Sequence, residues 1–126
     1  MKQLTKAEEE VMQILWGIGE GIIKDVLKEF KEKEPAYNTV ATVLKVLKKK
    51  GFVDHKAIGT TYVYFPLISK EEYSSYQVKH LLKNYFSGSF ARLATFFAKD
   101  NDMGMEDLEE LLKEINKGDP DRTEEA

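Results

Sequence analysis

The sequence predicts a mainly α-helical protein with one small β-hairpin, and three observations lead to this prediction. Apolar residues recur at helical spacing in three successive segments of the first 50 residues. From Phe52 to Phe65 the spacing falls to about two, in β-branched and aromatic residues typical of strands. Helical spacing then returns. Three helices followed by a hairpin predict a winged helix-turn-helix over residues 1–68, and the later helices predict a C-terminal helical domain over residues 69–117.

Composition narrows the class of protein. The chain has 126 residues, 42% of them hydrophobic, which suits one small domain with an appendage. It contains no cysteine, and its two histidines, His55 and His80, lie far apart without a third metal-ligand pattern, so we expect no metal and no cofactor. No apolar run reaches the length of a membrane span and the first residues do not resemble a signal peptide, so we expect a soluble cytoplasmic protein without membrane insertion.

The net charge of −3 is unevenly distributed along the chain. Residues 1–68 carry eleven Lys and nine Asp or Glu, whereas residues 69–126 carry eight Lys or Arg and thirteen Asp or Glu. Phosphate contacts need a local basic surface rather than a basic whole. The acidic total therefore does not exclude a nucleic-acid partner for the front half.

The first two helices are marked by a capping signal and by apolar spacing. Thr5 and Glu8 match a capping box, in which a hydroxyl and a carboxylate bond to free backbone N–H groups. The helix that follows ends near Trp16, which we expect in the core. Three glycines within residues 17–21 predict a turn. A second amphipathic helix is expected from Ile23, with a lysine- and glutamate-rich end that Pro35 closes.

The third helix, expected from Tyr37 to Gly51, has two different faces. Its apolar residues share one face: Val40, Val43, Leu44 and Leu47. About half a turn away, residues with amide, hydroxyl and ammonium groups share another: Asn38, Thr42, Lys45 and Lys49. No carboxylate occurs among residues 35–50. A DNA major groove accepts such a helix, although a solvated lysine-rich helix has the same pattern.

The hairpin that follows favours the groove-binding interpretation. Strand-like residues 52–57 and 61–65 flank Ile58-Gly59-Thr60, and Pro66 ends the second strand. In a winged helix the third helix enters the groove and the hairpin, called the wing, approaches the neighbouring backbone. Tyr62 and Tyr64 share a strand face; they could pack in the core or bond a phosphate, and we expect at least one in the core.

The back half predicts three further helices. Ser69 and Glu72 match a second capping box, and Gly88 breaks the chain after the first of these helices. The aromatic content exceeds what three short helices can bury, so it packs either on the winged helix or on a second copy of the chain, and we favour a homodimer. The expected interface residues are Leu82, Phe86, Phe90, Leu93, Phe97, Leu108 and Leu111. Residues 118–126 lack apolar anchors and are expected to be disordered.

Four segments together resemble the penicillinase-repressor family, the BlaI/MecI-type winged-helix regulators. They are T-x-A-E-x-E-V-M-x-I-L-W at Thr5 to Trp16, Y-x-T-V-x-T-x-L-x-x-L-x-x-K-G at Tyr37 to Gly51, Y-V-Y-x-P at Tyr62 to Pro66, and L-x-x-x-F-x-G-S at Leu82 to Ser89. The resemblance implies a homodimeric cytoplasmic repressor that binds a palindromic operator in double-stranded DNA. It further implies dimer contacts in the C-terminal helices and induction by cleavage there, carried out by a membrane metalloprotease sensor. The chain would then be a protease substrate and not an enzyme.

The sequence departs from the family pattern at three places. Val46 stands where the family often carries Arg, and Gly59-Thr60 stands where it usually has Gly-Arg at the wing tip, so two cationic contacts are missing. The family's Asn-Phe cleavage bond corresponds to Phe96-Phe97, which is the candidate cleavage region. Copper-responsive relatives carry a C-terminal cysteine cluster that this chain lacks.

The candidate DNA contacts are Asn38, Thr39, Thr42, Lys45, Lys48, Lys49, Lys56 and Thr60. The two helical threonines match those of the family; their hydroxyls can bond a phosphate or a base edge, and their methyls can meet a thymine methyl. Asn38 could bond adenine or cap the helix, and we favour capping. The lysines are expected to meet phosphates and so to position the protein rather than to select bases.

Two functions other than DNA binding find less support in the sequence. No spacing supports a catalytic triad, a phosphate loop or a metal constellation, so no catalytic residue is predicted. A winged helix can also serve only for protein–protein contact. A protein-binding third helix would tend to expose apolar groups, whereas this one exposes Asn, Thr and Lys.

Overall fold

The computed structural model describes residues 1–100 and 104–117 and contains six helices and one antiparallel two-stranded sheet in these ranges. The elements are α1 (Lys6–Ile18), α2 (Ile23–Lys28), α3 (Tyr37–Lys49), β1 (Val53–Ile58), β2 (Thr61–Pro66), α4 (Lys70–Tyr85), α5 (Phe90–Asp100) and α6 (Met105–Lys117). The predicted helical fold with one hairpin is confirmed. The tail expected to be disordered, residues 118–126, lies outside the described residues.

The chain forms two compact units that divide inside α4. The first unit is Met1–Gln77 and the second begins at Val78. This division falls later than the boundary expected after residue 68, because Tyr73 belongs to the first core. Its side chain is only 3% exposed, and its hydroxyl oxygen accepts a hydrogen bond from the Leu4 N–H at 2.9 Å. The start of α4 is therefore part of the winged-helix core.

The core of the first unit collects the apolar faces of α1, α2 and α3 under the start of the hairpin. Its most deeply buried side chains are Val11, Met12, Leu15, Val26, Val40, Leu44, Leu47, Phe52 and Val53. The predicted capping box is present: the Glu8 N–H donates to Thr5 Oγ1 at 3.2 Å, and the Thr5 N–H donates to Glu8 Oε1 at 2.8 Å. Trp16 packs against this core, and its indole N–H donates to the Ile68 carbonyl at 2.8 Å.

The second helix is shorter than the sequence predicts. It ends at Lys28, although Phe30 still packs against the core. The residues that follow, 31–34, are all charged and exposed. They offer no apolar stripe that further helical turns could bury, and an amphipathic helix is stabilised mainly by such burial.

Two glycines set the geometry between α3 and the wing. Gly51 has φ +83°, and its N–H donates to the Lys48 carbonyl while the Phe52 N–H donates to the Leu47 carbonyl. These are the two bonds of a Schellman motif, so the predicted glycine stop is confirmed. The wing pairs Val53 with Pro66 through Ile58 with Thr61, which leaves Gly59 and Thr60 as a two-residue turn. Gly59 has φ +65°, as the first position of a II′ turn requires.

The second unit holds the remainder of α4 with α5 and α6. A turn at Ser87 and Gly88, both with positive φ, separates α4 from α5. Ser89 Oγ accepts a hydrogen bond from the Arg92 N–H at 3.2 Å and caps α5. Among the described side chains of this unit only Ala98 is buried. Within the described ranges, none of the helices combines the length and the apolar composition that a membrane span requires.

Candidate nucleic-acid interface

Helix α3 is held by one face and leaves the other free. Val40, Leu44 and Leu47 are fully enclosed in the core, as the apolar spacing predicts. The polar candidates on the opposite side are all exposed: Asn38, Thr39, Thr42, Lys45, Lys48 and Lys49. The division of α3 into a buried apolar face and an exposed polar and cationic face is therefore confirmed. The DNA contact of each residue stays a prediction.

The capping role favoured for Asn38 is wrong. The N-cap position belongs to Ala36, and no side chain caps the helix. Asn38 lies one residue inside the first turn, where its own backbone is already helical, so it stands beyond the position from which a side chain caps. Its exposed amide is therefore not used by the cap, which leaves the alternative interpretation, a contact with a base.

Thr42 is tied to the backbone of its own helix. Its hydroxyl donates to the Asn38 carbonyl, one turn earlier, at 2.9 Å. The hydroxyl proton is therefore used inside the protein, and the side chain presents a methyl group and an acceptor oxygen to the outside. This bond follows from the spacing of four residues and was within reach of sequence reasoning.

The four lysines at the end of α3 have different surroundings. Lys45 and Lys49 have no ion-pair partner within the described part of the chain. The Lys48 amine lies 3.2 Å from His55 Nδ1 and 3.7 Å from Asp54 Oδ1, both at the start of the wing. The Lys50 amine turns inward, 2.7 Å from Glu8 Oε1. Two ammonium groups therefore remain available to an anionic partner, and a third is shared with the wing.

The wing carries an aromatic cluster on the side that faces Lys48. The His55 ring stacks on Tyr62, with ring centroids 4.1 Å apart, and lies 5.4 Å from the ring of Tyr64. Tyr64 packs against the core, as expected of at least one of the two tyrosines, whereas Tyr62 is 51% exposed. Burial, with the neighbouring phenols of Tyr37 and Tyr62, raises the pKa of Tyr64.

The two candidate DNA contacts in the wing, Thr60 and Lys56, have different surroundings. Thr60 is exposed at the turn. The Lys56 amine lies 3.1 Å from Glu20 Oε2, and both side chains are about half exposed. This carboxylate lies just after α1 and partly compensates the charge of Lys56. A backbone bridge between Gly21 and Tyr64 fixes the wing against the same turn.

A family model for the penicillinase repressor matches residues 4–117. The chain belongs to the penicillinase repressor family. The predicted family is thus confirmed, and the chain is a transcriptional repressor of the penicillinase type. The match runs through both units, so membership does not depend on the winged helix alone.

Relatives and a solved structure agree with this membership. The methicillin resistance regulatory protein MecI of Staphylococcus aureus strain N315 is 27% identical over 116 residues, which cover 91% of this chain and 94% of MecI. A penicillinase repressor of Bacillus licheniformis is 27% identical and covers 88% of each chain. The solution structure of the DNA binding domain of the repressor BlaI matches with a TM-score of 0.50 at 35% identity, covering 56% of this chain and 88% of that one. The predicted winged helix is confirmed by this match.

Sequence reasoning missed one ion pair, which joins the C-terminal end of α3 to α1. Lys50 Nζ lies 2.7 Å from Glu8 Oε1 and 3.0 Å from Oε2, and the Glu8 side chain is 8% exposed. Burial disfavours the charged carboxylate, but bonds from Lys50 and Thr5 and the lysine charge outweigh it and lower the pKa of Glu8. The two residues are 42 apart in the chain, and no local spacing signals their contact.

The interface residues predicted for the second unit differ in their exposure to solvent. Phe90 and Phe97 are exposed, whereas Leu82, Phe86 and Leu93 are partly buried. The side chains of Leu108 and Leu111 lie outside the described residues. The candidate cleavage pair, Phe96-Phe97, lies inside α5, and Phe96 contacts Phe86 with ring centroids 5.5 Å apart.

Proposed function

We propose that this family member is a homodimeric repressor that binds a palindromic operator through α3 and the wing and is released when its second unit is cut. The named relatives, a methicillin resistance regulator and penicillinase repressors, are consistent with this proposal. The observation that carries it is the exposed face of α3. It presents an amide, two threonines and two ammonium groups without an ion-pair partner in the described part of the chain, on a helix fixed by buried apolar residues.

The charge arrangement of this face supports DNA as the partner. Phosphates attract cations that have no competing carboxylate, and Lys45 and Lys49 meet that requirement among the described residues. The amide and hydroxyl groups of Asn38, Thr39 and Thr42, which precede these lysines on α3, suit the donor and acceptor pattern of base edges in the major groove. The BlaI fragment that this chain resembles is named as a DNA binding domain, which is in line with this partner.

Homodimerisation is supported by the apolar surface of the second unit. Tyr85 is 77% exposed and Phe96 is 58% exposed, and several neighbouring large apolar side chains are also open to solvent. Large apolar side chains left open to solvent are typical of interaction sites when they form a patch. A second copy would supply a matching apolar surface and would double the recognition helices. Two helices spaced about 34–36 Å apart would meet successive major-groove faces of a palindrome.

Release by proteolysis, with a membrane metalloprotease sensor as the protease, follows from the same dependence on the dimer. Cutting at Phe96-Phe97 would divide α5, which runs from Phe90 to Asp100. Since a protease binds its substrate as an extended strand, α5 must unwind locally, and its single buried side chain, Ala98, gives little resistance. The separated copies would keep intact recognition helices but lose the gain from binding two half-sites together.

Selection from a randomised duplex library, followed by a mobility-shift titration of the full chain, tests the proposal. We expect enrichment of an inverted repeat and a logarithm of affinity that falls linearly with the logarithm of salt, by about 0.9 per phosphate neutralised. A duplex in which one half-site is scrambled serves as the control and should bind far more weakly. Absence of any enriched sequence at low salt, or equal binding to the scrambled duplex, would contradict the proposal.

A further inference from the structure

Two apolar groups interrupt the polar face of α3. Val46 is 38% exposed although it is branched and apolar. Thr42 lies one turn before it on the same face, since residues four apart are neighbours on a helix surface. Both lie on the exposed side between the first turn and Lys49. Single exposed apolar residues are ordinary on protein surfaces, so their chemistry has to be considered together with their position.

The hydroxyl of Thr42 does not offer its proton to a ligand. It donates to the Asn38 carbonyl at 2.9 Å, which leaves a methyl and a lone-pair acceptor on the outside. Val46 has no hydrogen-bonding atom in its side chain. The central part of the exposed face therefore presents methyl groups, with hydrogen-bonding and cationic groups around them.

Methyl groups at this position suit one base. In the major groove only thymine carries a methyl group, and apolar side chains contact it directly. Adenine, guanine and cytosine instead present polar groups without a methyl, and Val46 would desolvate these groups without replacing their hydrogen bonds. Lys45 and Lys49 flank the pair and have no ion-pair partner among the described residues, so phosphate contacts would bring this face close to the base edges.

We infer that Thr42 and Val46 select thymine in each operator half-site by contact with its 5-methyl group. This inference rests on the proposed operator binding and specifies its chemistry. Thr42 supplies a methyl held by the backbone bond of its hydroxyl, and Val46 supplies a wider apolar surface one turn later. Recognition by this pair therefore depends on shape and apolar contact, and the donor and acceptor groups of Asn38 lie outside it.

The test uses deoxyuridine, which differs from thymidine only by lacking the methyl group. Each thymine of the selected operator is replaced in turn, on both strands, and the full chain is titrated by mobility shift or fluorescence anisotropy. At the thymines that face the pair we expect about fourfold weaker binding for each methyl removed, the effect of losing one methyl-sized apolar contact. At the other thymines the affinity should stay the same.

Variants assign the effect to the residues. Val46→Ala shortens the apolar surface, and Thr42→Ser removes the methyl while keeping a hydroxyl that can bond Asn38. For each variant the measured quantity is the ratio of affinities for the thymine and uracil duplexes, which we expect to approach one at the facing position. Lys45→Ala is the matched control: it should weaken both duplexes alike and leave the ratio unchanged. Circular dichroism melting checks that each variant is folded.

The outcomes separate this inference from the function on which it rests. Loss of the thymine preference in both variants, with the preference kept in Lys45→Ala, supports it. An operator that tolerates uracil at every position overturns the inference but leaves operator binding intact. A uracil effect that persists undiminished in both variants overturns it equally, since other residues would then contact the methyl. Failure to select any operator would instead overturn the proposed function.

Discussion

The two units of the chain differ in how far their apolar side chains are buried. The first unit encloses them: Leu15, Leu44 and Leu47 are fully buried, and Tyr73 from α4 completes the same core. The second unit leaves them open, with Tyr85 and Phe96 more than half exposed and only Ala98 buried among its described side chains. Burial of apolar surface is the dominant favourable term in folding. The first unit is therefore expected to be stable alone, and the second to depend on a further surface.

Removing the second unit should have the largest effect on DNA binding. A fragment that ends after Gln77 keeps the whole first core, including Tyr73, and should stay folded as a monomer. Linking two binding modules raises affinity by roughly 10²–10⁴, so the fragment should bind the full operator more weakly by about that factor. Sedimentation and operator titration of fragment and full chain measure the difference.

The choice of end point matters for this experiment. A shorter fragment that ends at Ser69 would also remove Tyr73, whose hydroxyl accepts the Leu4 N–H, and would confuse loss of folding with loss of the dimer. Circular dichroism of the longer fragment provides the control. A fragment that remained dimeric, or that bound as tightly as the full chain, would contradict the assignment of the dimer contacts to the second unit.

Truncating one large side chain in each unit should produce two different kinds of loss. Leu44→Ala leaves a cavity in a closed core and should lower the free energy of unfolding by roughly 2–5 kcal/mol at any protein concentration. Phe97→Ala removes a side chain that is 46% exposed, so it should mainly weaken self-association. Its effect on the unfolding midpoint should therefore depend on protein concentration.

Chemical denaturation over a hundredfold range of concentration distinguishes the two variants. Lys45→Ala, the exposed neighbour of Leu44, is the control and should change the unfolding free energy by less than about 0.5 kcal/mol. If Phe97→Ala lowered stability by the same amount at every concentration, Phe97 would be a core residue of one chain rather than part of an interface.

The parts of the fold that were predicted correctly depend on residues close to one another in the sequence. The spacing of Val40, Leu44 and Leu47 and the stop at Gly51 depend only on nearby residues, and both appear as predicted. The end of α2 was missed because Phe30 suits a helical face while the charged residues after it cannot continue one. Partners distant in the chain gave no signal at all: Lys50 belonged to a run of lysines, and nothing local indicated that it alone turns inward to Glu8.

The same limit applies to the candidate interface. Exposure of Lys45 and Lys49 followed from helical periodicity, but the sharing of Lys48 with His55 and of Lys56 with Glu20 depends on how the wing folds back. The cap expected from Asn38 is absent because the N-cap of α3 is Ala36, two residues earlier in the chain. Helix boundaries are the least determined part of such predictions, because several residue types suit the first turn equally well.

The Glu8–Lys50 pair should make the free energy of unfolding of the first unit depend on pH. Replacing Lys50 should change this dependence. Lys50→Met leaves the Glu8 carboxylate buried with only its capping bond, which should lower the unfolding free energy at pH 7 by about 1–3 kcal/mol. Lys49→Met, at the exposed neighbouring position, is the control and should be nearly neutral. Urea denaturation at a series of pH values measures both.

The sign of the pH dependence follows from the lowered pKa of Glu8, whose ordinary value is 4.5. In the native chain the stabilisation by this carboxylate is complete above that value and is lost as pH falls through the lower folded pKa. In Lys50→Met, burial remains without the lysine and raises the pKa, so acid relieves the cost of the buried charge. The difference between the two proteins should therefore shrink from pH 6 to pH 3. A constant difference would mean that Lys50 acts through packing and not through its charge.

The smallest expected effects compare an unpaired lysine with a paired one inside the first unit. Lys49 has no carboxylate partner among the described residues, so Lys49→Ala should weaken specific and non-specific DNA alike and reduce the salt slope by about 0.9 per monomer. Lys56 already lies 3.1 Å from Glu20 Oε2, so Lys56→Ala should change the slope less. Glu20→Gln removes the carboxylate that neutralises Lys56 and should steepen the salt slope. A lysine that simply lies away from DNA would show no such change.

Equal slopes for Lys49→Ala and Lys56→Ala, with no change in Glu20→Gln, would show that the Glu20 contact does not compete with phosphate.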